Sequence, residues 1–268
     1  MSHYVVIPRL EVLNANAQPV WWIIGPPAVT AYVGFAQALA LHLGVPRHDG
    51  IAIVHHDIQF LGEIHWDFRV KTLLPHQFRA ASFIDKADYS SKNPHVLSSQ
   101  PTARCHLTVS VVIRFDDDAE FRESDIAPFL RGGRLAGGTI IEHGEPVVLA
   151  DEADIDKVSK AVGSGFSLIE RQDLMVKQGG DRDMLDVLLR LTRREKQRDK
   201  DLSWLAPTTL GYAQITPRQQ RQHVRGDFAH AYCEPLVGLA QYKSLRDAGL
   251  AFWRFTHPLP TVFAASTQ

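Results

Sequence analysis

The run Tyr4-Val5-Val6-Ile7, an apolar-periodic stretch from about Ala28 to Leu43, and the run Ile51 to Val54 set strand, helix and strand in that order at the start of the chain. No other feature restricts the fold as much. Tyr4 to Ile7 has no polar interruption and reads as a buried strand. Val29, Val33, Ala36 and Ala40 recur at helical spacing with Leu39 and Leu43, and Gly44 stands where a left-handed residue caps a helix. Gly25-Pro26-Pro27 breaks the chain before that helix. Pro8 is expected to end the first strand, with a second short stretch from Leu10 to Leu13. This order opens a split βαβ unit of ferredoxin-like topology, so the fold class expected is α+β.

Further along, His106 to Phe115 is a β-branched run and reads as a strand, as do Thr139 to Glu142 and Gly165 to Arg171. Asp151 to Val162 is expected to be a surface helix opening on acids, which suits the helix dipole. Asp183 to Lys200 reads as one helix, with Met184, Leu185, Leu188, Leu189 and Leu191 as its apolar stripe and Arg193, Arg194, Lys196, Arg198 and Lys200 at its C-terminal end. Between Asp67 and Arg104 the pattern loosens: Arg69, Lys71, Arg79, Lys86, Lys92 and Arg104 are interleaved with Trp66, Phe68, Phe78, Phe83 and Tyr89. A long irregular segment of this kind either holds phosphates and stacks bases or is a solvated excursion with a small satellite core. The aromatics from Trp204 onward, including Tyr212, Phe228, Tyr232, Tyr242, Phe252, Trp253 and Phe255, fit a core or a subunit interface better than a stacking platform. There is no internal repeat.

Composition limits the function classes. A chain of 268 residues that is 45% hydrophobic can bury one large core or two small ones. Its net charge of −1 excludes a generally basic nucleic-acid coat, so an anionic partner has to be held by a local patch. Cys105 and Cys233 lie far apart, with no secretory apolar region and no run long enough to span a bilayer, which reads as a cytoplasmic protein with reduced thiols.

Motifs for catalysis are few. His55-His56, with His65 and His76, is the best metal set, but the spacing of a structural zinc site is lacking and adjacent strand residues point to opposite faces; no metal and no cofactor is expected. Gly163-Ser164-Gly165-Phe166 does not make a nucleophile elbow. Asp116-Asp117-Asp118 lacks the rest of a calcium loop and reads as a solvated turn or cap. The one loop suited to an anion is Arg134-Leu135-Ala136-Gly137-Gly138-Thr139-Ile140. Adjacent glycines keep no Cβ between backbone and ligand and turn with positive φ, so their N–H groups can converge on a phosphate flanked by Arg131 and Arg134. The plain reading of the same residues is a tight turn between a helix and a strand.

Taken in order, Pro8-Arg9-Leu10 with Asn14-Ala15-Asn16-Ala17, Gly25-Pro26-Pro27, Thr30-Ala31-Tyr32-Val33-Gly34-Phe35 and Gly50 to Val54 resemble a known family. So do Arg134 to Gly138, Gly165 to Arg171, and Trp204 with Pro207, Gly211 and Tyr212. The family is the type I-F CRISPR surveillance (Csy) complex subunit that holds the five-prime handle of the CRISPR RNA, and the resemblance covers nearly the whole chain. It implies a single domain of the RAMP superfamily over residues 1–268. Its parts would be a ferredoxin-like, RRM-related palm, a thumb-like insertion over 66–104 and a helical and aromatic C-terminal part over 172–268. The partners implied are the CRISPR RNA, the large subunit and the adjacent backbone subunit, with target DNA reached through the assembled complex; a membrane is not among them.

The resemblance further implies a non-catalytic binder. It carries handle binding, or its support, to Arg9, Asn14, Asn16, Thr30, Phe35, Arg134, Gly137 and Gly138, beside which Arg131, Arg69 and Lys71 are the local cations. Asparagine offers donor and acceptor to splayed bases or a two-prime hydroxyl, though Asn14 and Asn16 also suit plain turns. Arginine forks suit phosphates. Phe35 on an apolar helix favours the core, and Thr30 suits a helix cap. The alternative is a metal-independent endoribonuclease of the same superfamily, recruiting His55, His106, Lys71 or Tyr32 as acid and base.

Overall fold

The computed structural model describes residues 3–67, 70–79, 101–115, 121–149, 155–193, 201–222 and 226–267. The first half runs β1 (His3–Asn16), α1 (Val29–His42), β2 (Gly50–Phe60), β3 (Gly62–Asp67), β4 (Val70–Pro75), β5 (Gln77–Arg79), β6 (Pro101–Phe115), α2 (Glu123–Arg131), β7 (Arg134–Leu135), β8 (Gly138–Glu142) and β9 (Val147–Leu149). Strands β8, β1, β6 and β2 lie side by side in that order, each antiparallel to its neighbour. The result is a mixed α and β chain built on a mainly antiparallel sheet.

Both faces of this sheet are covered, which is why Tyr4 to Ile7 is apolar throughout. Val5 and Ile7 face one way, into a core shared with Ile51, Ile53, Val111 and Ile113 of the sheet, Tyr32, Val33, Ala36 and Leu39 of α1, and Ile126 and Leu130 of α2. Tyr4 and Val6 face the other way, with Ala52, Val54 and Val112, under Val158 and Val162 of α3 (Ile155–Val162) and Leu245 of a later helix. Alternate residues of a strand point to opposite faces, so an unbroken apolar run serves two cores at once. Each fully buried aliphatic side chain contributes about 1.5–3 kcal/mol.

The second half continues with β10 (Phe166–Glu170), α4 (Gln172–Gly179), α5 (Met184–Leu191), β11 (Leu205–Gln214), β12 (Cys233–Ser244), α6 (Leu245–Ala248), β13 (Phe252–Leu259) and β14 (Val262–Ser266). These strands extend the same sheet and return to it. The free edge of β2 pairs with β13 at Ile51 and Ala52 and with β10 at Val54 and His55. With β10 on β12, β12 on β11, β11 on β14 and β14 on β13, six strands close a circuit through β2. Leu168, Leu210, Ala240, Trp253 and Ala265 fill it and join the α1 core. Helices α4 and α5 pack outside, where Leu174, Val187, Leu188 and Leu191 meet Leu205 and Leu239.

Several expectations are corrected. Pro8 does not end a strand: β1 is continuous, with register shifts after Ile7 and after Val12. The extra residues put Arg9 at φ 48 and Asn14 at φ 57. A bulge tolerates proline because the ladder is already interrupted there. The described part of the 66–104 segment is ordered into the β3–β4 hairpin and β5, which pairs with β6. Thr30 does not cap α1; the N-cap residue is Ala28, and Val29 N–H donates to Thr208 Oγ1 at 3.3 Å. Helix α5 ends at Leu191 with Thr192 as its C-cap, and Met184, Leu185 and Leu189 are exposed rather than part of its buried stripe. Among the described residues after 172, the helices are α4, α5 and the short α6, and the aromatics beyond Trp204 fall mostly on strands. Expectations for Arg69, the Asp116 to Asp118 run, the acids at the start of the 151–162 helix and the cations of 194–200 lie outside the described residues.

Candidate nucleic-acid interface

The glycine motif folds as a β-hairpin. Arg134 pairs with Thr139 and Leu135 with Gly138, leaving Ala136 and Gly137 as a two-residue turn at φ 50 and φ 74. Two successive left-handed residues match the twist of a tight hairpin, and glycine takes the second without strain. Gly138 has a different task. A Cβ there would stand 2.7 Å from Ala15 N, from Leu13 O and from Val12 Cγ1, so β8 can lie on β1 only without one. Ala136 O in turn accepts the Asn16 N–H at 2.8 Å. The hairpin is therefore pinned to the end of β1, with Gly137 exposed at its tip.

Between this tip and α1 runs a groove of about 730 Å³. Asn16, Thr30, Phe35, Arg134 and Gly137, five of the residues singled out from sequence, line it. Arg104 lines it too, opposite Asn16 in the β1–β6 register, and donates from Nη1 to Asn14 O at 3.1 Å. Tyr212, Phe255 and Phe263 form the far wall. Phe255 and Phe263 lie against each other with ring centroids 4.0 Å apart, and Tyr212 is exposed. Two guanidinium groups beside an aromatic wall can hold a backbone phosphate and stack an unpaired base.

The sequence-derived residues do not all gather here. Phe35 is 4% exposed with its ring tilted on Phe129, so it floors the groove rather than offering a stacking face. Asn16 is engaged in turn chemistry: Nδ2 donates to Gln18 O at 3.2 Å and Oδ1 accepts Gln18 N–H at 3.1 Å. Asn14, at its bulge, presents its N–H to His106 Nδ1 at 3.2 Å. Gly138 is buried. Arg131 is exposed at the end of α2, and Lys71 on β4 reaches toward the Trp66 ring; neither lines the groove. Arg9 points elsewhere, its Nη2 within 3.9 Å of where a Cβ on Gly163 would stand. Arg104, Tyr212, Phe255 and Phe263 line the same groove and were not singled out for it from sequence. Arg104 carried a signal as the last cation of the basic and aromatic stretch, and Tyr212 as part of the motif with Trp204; Phe255 and Phe263 join them only where β13 and β14 come round the circuit.

A family model described as CRISPR-associated protein (Cas_Csy2) matches residues 5–258 of the chain. The chain belongs to the Csy2 family. It is similar to the CRISPR-associated protein Csy2 of Pseudomonas aeruginosa strain UCBPP-PA14, 24% identical over 295 residues that cover 90% of this chain and 86% of the relative. The Csy2 family is that of a subunit of the type I-F Csy complex of CRISPR antiviral defence.

In this Csy2-family chain, two of the side chains weighed as acid and base, Tyr32 and His55, meet each other inside the core. Tyr32 Oη and His55 Nε2 are 3.0 Å apart in the core. Burial pushes the Tyr32 hydroxyl well above its ordinary range, and burial, helped by the neighbouring His56, pushes His55 down to about 3. Both stay neutral near pH 7, the reverse of a pair poised for proton transfer. His56 faces away from His55 into a satisfied chain: its Nδ1–H donates to Ser164 O at 2.8 Å, its Nε2 accepts from Ser110 Oγ at 2.7 Å, and Ser110 Oγ accepts Arg9 N–H at 2.9 Å. Among the described residues, no helix is long and apolar enough to cross a membrane.

Proposed function

We propose that this chain is a non-catalytic RNA-binding subunit of a type I-F CRISPR interference complex. It holds the five-prime handle of the CRISPR RNA and caps the backbone next to the large subunit. The observation that carries this reading is the groove that brings Arg104, Arg134, Asn16 and the Ala136–Gly137 turn to one side and Tyr212, Phe255 and Phe263 to the other. Single-stranded RNA is held by cations for its phosphates and ring faces for its bases, and this groove supplies both in a chain that is not basic overall.

The fold reading is a RAMP palm. With β1, β2, β6 and β8 numbered one to four, the spatial order is four, one, three, two; α1 follows the first strand and α2 the third, as in a ferredoxin-like split βαβ unit. Residues 66–104 are the thumb-like insertion, whose described start lies in the β3–β4 hairpin, and Lys71 on β4 is its cation for the RNA. The CRISPR RNA, the large subunit and the adjacent backbone subunit are the partners, target DNA is met through the assembled particle, and the particle is cytoplasmic.

The test is coexpression with the neighbouring subunits and a CRISPR array, purification through a tag on this chain, and sequencing of the bound RNA. Mature CRISPR RNA should copurify with wild type. Arg104→Glu with Arg134→Glu should release this subunit from the five-prime end and flatten the dependence of log affinity on log salt by about 1.4, roughly 0.7 for each single-strand phosphate deprived of its cation. Unchanged retention and slope would remove the groove from the interface.

A further inference from the structure

We infer that the chain carries a second nucleotide site, on the β2–β10 side of the sheet, in which one unpaired base stacks on Trp204 and its phosphate rests on Arg9, Lys160 and Arg246. Two adjoining pockets make it, sharing His56 and Phe166. The first, about 420 Å³, is mainly apolar and is lined by His55, Phe166, Trp204 and Tyr242 with Asp57 at its side. The second, about 540 Å³, is the more polar of the two and is lined by Lys160, Arg246 and the hydroxyl-bearing Ser159, Ser164 and Ser244, with Arg9 Nη2 at its edge beside Gly163. Neither shares a lining residue with the groove assigned to the handle.

The indole at the mouth is held out by a rigid support. Trp204 is 68% exposed yet has φ 61, a conformation strained for an aromatic residue. The strain is fixed from below: buried Gln241 donates through Nε2 to Asp201 O at 2.9 Å and to Ser203 O at 2.7 Å, and Tyr242 N–H donates to Trp204 O at 3.1 Å. Arg171 in turn donates to Gln241 Oε1. The Phe166 ring, also exposed, stands 6.4 Å from the indole at 31°, so the two form an aromatic lip.

Two further observations point to the occupant. His55 is 3% exposed, lines the apolar pocket, and its Nδ1 has no hydrogen-bond partner. A buried ring nitrogen left open beside a pocket is met by the polar edge of a ligand more readily than by an aliphatic side chain. The charge is also divided as a nucleotide requires. Arg9, Lys160 and Arg246 are exposed, and among the described residues no carboxylate pairs with any of them. The Asp57 carboxylate repels a phosphate from the aromatic side and can accept from a base amino group. A partner's aromatic side chain would fill the first pocket and leave the cations of the second unanswered.

The test uses the full chain and a ten-nucleotide oligouridine containing 4-thiouridine. After irradiation, mass spectrometry should find uridine adducts on the peptide that contains Trp204, in wild type and also in the Arg104→Glu, Arg134→Glu variant that has lost the handle groove. In that variant Trp204→Ala should weaken binding about tenfold or more, the effect of removing one stacking platform, and Trp204→Phe should restore most of it. Lys160→Glu with Arg246→Glu should weaken it again and reduce its salt dependence. Adducts on the Arg134 peptide but none on the Trp204 peptide would overturn this site and leave the handle reading intact. So would a Trp204→Ala variant that keeps its uridine affinity but loses a protein subunit on copurification, since the occupant would then be that subunit.

Discussion

Trp253 donates its indole N–H to Leu168 O at 2.8 Å, joining β13 to β10 where the two strands leave the shared edge of β2. The side chain is fully buried and its strand neighbour across the ladder is Ile51. The bond ties together the two strands that both pair with β2.

Trp253→Phe keeps most of the apolar volume and removes the donor. Leaving a buried carbonyl without its partner costs about 1–3 kcal/mol. Urea unfolding should show a loss of roughly 2 kcal/mol, with a drop of several degrees in Tm. A variant as stable as wild type would show that β10 and β13 are held by their ladders without the indole bond.

The two hairpin glycines should respond unequally. Gly138→Ala forces a methyl to within 2.7 Å of β1 backbone atoms, which cannot move aside without breaking the ladder, and overpacking of this kind costs about 1–3 kcal/mol. Gly137→Asn sits at φ 74 with only Arg104 Nη1 near, 4.0 Å away, and should change stability by less than about 1 kcal/mol. Denaturant melts of both variants decide the point. Equal losses would mean that the turn conformation, rather than the contact with β1, dominates.

His55 sets an acid limit on stability. Its folded value near 3 lies below the ordinary 6.5, so between those values the unfolded chain binds a proton that the folded chain refuses. Stability is therefore full above about pH 6.5 and falls as pH drops, by up to about 1.4 kcal/mol per pH unit from this residue alone. His48 and His56, both lowered mainly by burial, act in the same direction. Unfolding free energies measured at pH 7, 6 and 5 should decline for wild type and decline less for His55→Gln. Parallel curves would show that other groups carry the acid sensitivity.

By itself, the sequence determined the elements whose signals are local. The unbroken apolar run of Tyr4 to Ile7, the 3.6-residue spacing of α1 and the β-branched run of β6 are periodicities, and periodicity survives without knowledge of neighbours. The ordered set of short motifs pointed to the family for the same reason. The candidate groove was legible only in part. Asn16, Thr30, Phe35, Arg134 and Gly137 do share one groove, yet Arg9 lies beside Gly163 and Gly138 serves β-strand packing. Tertiary structure decided what depends on register and closure. Pro8 could remain inside β1 because β6 supplies Ser110 Oγ to the displaced Arg9 N–H. Tyr212, Phe255 and Phe263 became a wall only when β11, β13 and β14 closed the circuit through β2, and Trp204 stands out in solvent because a buried glutamine on another strand clamps the carbonyls before it. Contacts between residues far apart in the chain leave no period to read, since each is set by which strand pairs with which.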